Sequence, residues 1–82
     1  MGFYLFKFKS MTYAQRASKF LSEKGIYTGI VKLPLRYSRD GCGYSLKISE
    51  RQFLKAKALL KDTNYIIESI YHVSNNKYTE VV

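Results

Sequence analysis

Twice in this chain a segment with the two-residue period of a pleated strand is followed at once by a run with helical period. Phe3 to Lys9 sets Tyr4, Phe6 and Phe8 against Leu5, Lys7 and Lys9, so that one face is buried and the other polar. Tyr44, Leu46 and Ile48 likewise oppose Ser45 and Lys47. After the first segment Ala14, Ala17 and Leu21 recur at helical spacing, Phe20 widens the stripe, and Gly25 follows the last apolar turn. Ser10 or Thr12 can cap that helix: Thr12 has Gln15 three residues on, the reciprocal capping arrangement, and Ser10 would give an earlier start. After the second segment Ser49 with Gln52 repeats the capping signature. Phe53, Ala56, Leu59 and Leu60 then form an apolar stripe whose outer side carries Arg51, Lys55, Lys57 and Lys61.

Two more strands complete the pattern. Tyr27 to Leu33 is apolar on both parities and stops at Pro34, which donates no ladder hydrogen bond. Tyr65 to Val73 is rich in β-branched and aromatic residues. The order strand, helix, strand, strand, helix, strand predicts an α+β, ferredoxin-like βαββαβ fold: a four-stranded antiparallel sheet with two helices on one face. Its strand order, fourth, first, third, second, puts the first and third strands in the centre. Residues 1–73 read as a single domain, and Ser74-Asn75-Asn76 opens a polar tail, 74–82, expected to be flexible.

Eighty-two residues make one modest core, and five Phe with eight Tyr supply its packing. The apolar start, Met1-Gly2-Phe3-Tyr4-Leu5-Phe6-Lys7, lacks the small-residue site of a signal peptide. No apolar run approaches the roughly 20 residues of a membrane helix. A single unpaired cysteine fits a reducing interior, which predicts a cytoplasmic protein. The net charge of +8 favours anionic partners, namely an acidic protein face, nucleic acid or a small anion. Because Lys and Arg are dispersed rather than run together, nucleic acid ranks behind protein.

The one cysteine, Cys42, sits between Gly41 and Gly43, after a basic loop holding Arg36 and Arg39 and directly before the Tyr44 strand. Flanking glycines permit backbone angles and close approaches that a Cβ forbids. In the predicted topology the first strand runs toward the end of the sheet where the first helix starts, and the second-to-third strand loop turns over at that same end. Cys42 is then expected near Ser10, Met11 and Thr12, where unpaired helix amides carry about half a positive charge. With Arg36 and Arg39, these amides would stabilise a thiolate or a persulfide anion. A lone cysteine also serves as a small apolar filler, and Gly-x-Gly recurs in hairpin loops.

Other chemistries lack their residues. His72 is the only histidine and falls on a terminal strand, where a structural or exposed role is expected. One Cys and one distant His do not assemble the three or four ligands of a metal site. Asp40 before Gly41 reads as a turn residue. There is no Gly-rich phosphate loop and no Cys-x-x-Cys pair.

As an ordered set, the aromatic strand ending Phe8-Lys9-Ser10, the helix with Ala14 and Leu21 ending at Gly25-Ile26, Leu33-Pro34 with Arg36 close behind, and Cys42-Gly43 opening an alternating strand resemble a known family. It is the selenium/sulfur carrier protein-like family of small bacterial domains, and the resemblance covers about residues 4 to 73. It implies a carrier, rather than a stand-alone enzyme, in which Cys42 holds sulfur or selenium as a persulfide or selenopersulfide. No cofactor is implied beyond that covalently carried atom. The chain has no resolving cysteine, so the second thiol of each exchange must belong to another molecule, a protein donor or acceptor. Two other readings stand beside this one. A sheet face with Leu5, Lys7, Ser45 and Lys47 beside aromatic residues could stack single-stranded RNA, although the third strand lacks the Gly-Phe-aromatic signature of the common RNA-recognition sheet. An open sheet face could instead pair with a second copy as a homodimer.

Overall fold

A computed structural model describes residues 2–34 and 44–81. These residues form two α-helices and a five-stranded, wholly antiparallel sheet in the order β2-β3-β1-β4-β5. The elements are β1 (Gly2–Lys7), α1 (Met11–Glu23), β2 (Gly29–Lys32), β3 (Tyr44–Ser49), a 3-10 turn (Glu50–Gln52), α2 (Phe53–Lys61), β4 (Ser69–Ser74) and β5 (Lys77–Val81). The first four strands take the expected order, with β1 and β3 side by side.

The strand count corrects the four-stranded expectation. Asn75 and Asn76 are not the start of a tail; they have φ of 52° and 63°, and Ser74 pairs with Lys77 across them. Two successive positive φ values are the mark of the tight hairpin turn that matches strand twist, and Asn tolerates that conformation. Lys77 to Val81 then pairs along β4 as an edge strand, in place of the expected flexible segment.

Both helices lie on one face. Phe6, Leu46, Ile48 and Ile70 from the strands and Phe8 just past β1 pack with Ala14, Ala17 and Leu21 of α1 and Ala56 and Leu60 of α2, all buried. Tyr4 and Phe53 stack with ring centroids 3.8 Å apart, tying β1 to the start of α2. The second face is also buried at its centre: Leu5, Leu33, Tyr71 and Val73 form a separate cluster. Lys7 and Ser45 are buried on that same face, where alternation alone had predicted an exposed polar surface.

Helix ends follow local chemistry. Ser10, extended at φ −147°, caps α1, and its hydroxyl oxygen accepts the Tyr13 amide at 3.3 Å; Thr12 lies within the first turn. At the other end the Ile26 amide donates to the Leu21 carbonyl at 2.8 Å and the Gly25 amide to Ser22 at 3.0 Å. That is the paired C-terminal closure in which glycine adopts positive φ, here 85°. The Ser49–Gln52 signature is not used: Ser49 makes no side-chain cap bond, and a 3-10 turn intervenes before α2.

β4 begins four residues later than periodicity suggests. A strand needs a neighbour, and β1 ends with Lys7 opposite Ser69. The Glu68 amide still donates to the Lys7 carbonyl at 2.8 Å. Beyond it the chain bonds to itself: Thr63 Oγ1 donates to the Leu60 carbonyl at 2.7 Å and accepts the Tyr65 amide at 3.1 Å.

Candidate functional site

Four elements meet at one end of the sheet. β1 finishes there, α1 starts there on its Ser10 cap, and β3 and β4 begin there, since Lys7 pairs with Ser45 on one side and Ser69 on the other. The Phe8 amide donates to the Tyr44 carbonyl at 3.3 Å, so the first residue of β3 lies beside the chain two residues before Ser10. The first turn of α1 contains no acidic side chain. No carboxylate of that turn itself offsets the positive end of the helix that its opening amides form.

Of the residues the sequence nominates, Ser10 and Thr12 fall at this end: Ser10 is engaged as the cap, and Thr12 is exposed on the first turn. Cys42, Gly41, Gly43, Arg36 and Arg39 lie outside the described residues, which stop at Pro34 and resume at Tyr44.

The same end holds an ion pair that sequence reasoning missed. Lys7 Nζ contacts Glu68 Oε1, with the lysine side chain 8 % exposed and the glutamate 35 %. The two residues are bound twice, because the Glu68 amide also donates to the Lys7 carbonyl. Burying an ammonium group is unfavourable unless it is paired and hydrogen-bonded, and Lys7 meets that requirement. Nothing local distinguishes Lys7 from a solvated strand lysine. Its partner is 61 positions away, and its burial depends on the apolar cluster of the second face.

His72 belongs to the opposite end, where Gly2 pairs with Ser74 and Phe3 with Ser49. Its Nε2 is 2.7 Å from Glu50 Oε2, and its ring lies 4.8 Å from that of Tyr4. The bond to His72 is the largest influence holding the Glu50 carboxyl below its ordinary value; the Gly2 amide adds to it, and partial desolvation works against it. A Cβ on Gly2 would stand 2.7 Å from the Val73 carbonyl and 2.9 Å from His72 Nε2, so only glycine fits beside this pair.

The four residues of the envisaged RNA platform do not form one. Leu5, Lys7 and Ser45 are buried, and Lys47 alone is exposed, its Nζ 4.4 Å from the centre of the Phe3 ring. Bases cannot stack on residues that solvent does not reach. Among the described residues no group of three or more His, Cys, Asp or Glu could hold a metal ion, and no helix is long and apolar enough to cross a membrane.

Comparison with known proteins gives one result. The model of a family described as "Putative Se/S carrier protein-like" matches residues 3–72 of the 82. No curated protein and no solved structure matches the chain.

Proposed function

This chain belongs to the Se/S carrier protein-like family, and on that premise we propose that it carries a sulfur or selenium atom on Cys42 between a protein donor and a protein acceptor. The Cys42 thiolate attacks the outer sulfur of a donor persulfide, R–S–SH. The donor S–S bond breaks, R–S⁻ leaves, and Cys42–S–SH forms with no net oxidation or reduction. With selenium in the outer position the same exchange gives a selenopersulfide. Delivery is the reverse attack by an acceptor thiolate. The absence of a second cysteine suits a carrier, because the loaded atom has no internal thiol to displace it.

The observation that supports this reading most directly is the bond between Phe8 and Tyr44. It sets the strand that Cys42 leads into beside the capped start of α1, whose own first turn carries no acidic side chain and whose amides favour an anion. Arg36 and Arg39 are proposed to add to that field, and Gly41 and Gly43 to give the thiol clearance for an incoming sulfur.

Incubation with glutathione persulfide followed by intact mass spectrometry tests the proposal. One added sulfur is expected on the wild-type chain and none on Cys42→Ser. Loading of the serine variant, or a wild-type chain that stays unloaded, would end it. The Cys42 thiol is also expected to titrate below the free-thiol value of about 8.5 in pH-dependent alkylation.

A further inference from the structure

The segment between α2 and β4 displays an isoleucine that the fold does not use. Ile66 is 80 % exposed, although the chain on either side is held in place by the Thr63 bonds and by the Glu68 amide on Lys7. Three concavities meet around it and its neighbour Tyr65. A groove of about 640 Å³ runs along α2, with Lys57 and Lys61 on its wall and both Tyr65 and Ile66 in its lining. A second, of about 400 Å³, is lined by Arg16, Lys19, Phe20 and Tyr65. A third, of about 140 Å³, joins Lys9, Tyr13 and Asn64 to Ile66.

Five cations from three parts of the chain therefore surround one aliphatic side chain and a half-buried tyrosine. The carboxylates in the same walls are Glu23, Glu68 and Glu80, and Glu68 is already engaged by Lys7. The surface is positive around an apolar centre, the arrangement of a protein interface with a desolvated anchor and a charged rim. Nucleic acid suits it less well, because bases stack on exposed ring faces, whereas Ile66 is aliphatic and Tyr65 is turned in toward Phe20, centroids 6.3 Å apart.

We propose that the surface centred on Ile66 is the docking face for a protein partner that presents an apolar socket rimmed by carboxylates. It lies at the end of the sheet where β1 finishes and β3 begins. The identification of that partner as the sulfur donor or acceptor rests on the carrier reading; the docking face itself does not.

The test places the photo-crosslinking amino acid benzoylphenylalanine at position 66 of the full chain in cells, and at position 54 as a control, since Leu54 is similarly exposed at 75 %. One dominant protein adduct is expected from position 66 and not from 54. Once identified and purified, that protein is expected to bind the wild-type chain at least tenfold more tightly than Ile66→Asp, and the Lys57→Glu, Lys61→Glu pair is expected to cost a similar factor. An equal adduct from position 54, an adduct digested by ribonuclease, an adduct with a second copy of this chain, or no adduct overturns the proposal. So does unchanged affinity of the variants. Loading of Ile66→Asp by glutathione persulfide is measured in parallel and is expected to match wild type. Loss of Cys42 loading with the adduct intact would remove the carrier reading alone, and loss of the adduct with loading intact would remove the docking face alone.

Discussion

The Phe8 amide and the Tyr44 carbonyl, 3.3 Å apart, join the last turn of chain before α1 to the first residue of β3. That one bond brings residues distant in sequence to a common edge, and Ser10, two positions beyond Phe8, opens the helix there. The cap and the first residue of β3, two positions after Cys42 in the sequence, therefore share that edge.

Removing the cap tests both. Ser10→Ala leaves the Tyr13 amide without its side-chain acceptor and is expected to cost about 1 kcal/mol, or roughly 4–8 °C in Tm for a domain of this size. Thermal melts read the stability. Under the proposed function the same variant also raises the Cys42 thiol pKa, because a frayed first turn no longer holds its amides in line. Alkylation rates that match wild type at every pH would separate the helix terminus from the thiol.

The Lys7–Glu68 pair is expected to show coupling in a double-mutant cycle. With the ammonium buried and the carboxylate a third exposed, solvent screens part of the attraction, which places the coupling at about 1–3 kcal/mol. Urea titrations of Lys7→Met, Glu68→Gln and the double variant measure it. A coupling near zero would mean that Glu68 does not compensate the Lys7 charge.

Glu50 makes stability fall in acid. Its folded pKa lies below its ordinary value of 4.5, so near and below that value the unfolded chain takes up protons that the folded chain refuses. The contribution is complete above the ordinary value and is lost as pH falls through the folded one. Glu50→Gln is expected to be less stable than wild type at pH 6, with the gap closing below about pH 4.5. Urea midpoints across that range check the convergence; a constant gap would assign the effect to packing instead of charge.

Truncation after Ser74 removes the turn and β5. It exposes the β4 edge and strips Tyr78 and Val81 from the two clusters they pack against. A lower Tm than that of Ser10→Ala is expected, together with concentration-dependent association through the uncovered edge. Light scattering and melts at several concentrations follow both. A truncated chain as stable as the whole would return residues 77–81 to the role of a tail.

What could be read from the residues themselves was local. The period of Tyr4, Phe6 and Phe8, the stripe of Ala14, Ala17 and Leu21, and the glycine after it depend on neighbours a few positions away, so the helices, the central strands and the layer between them were legible. So was Ser10 as the cap, whereas Cys42, the nucleophile the sequence nominates, lies outside the described residues. Only the tertiary structure decided where β4 starts, because that depends on where β1 stops. It also decided that Asn75-Asn76 turns the chain back on itself instead of releasing it. Lys7 shows the limit most clearly: the same lysine on the same alternating strand is a solvated charge on an open sheet and half of a buried ion pair on a covered one. Which it becomes is set by Glu68 and the Leu5, Leu33, Tyr71 and Val73 cluster, of which only Leu5 falls in the same local window.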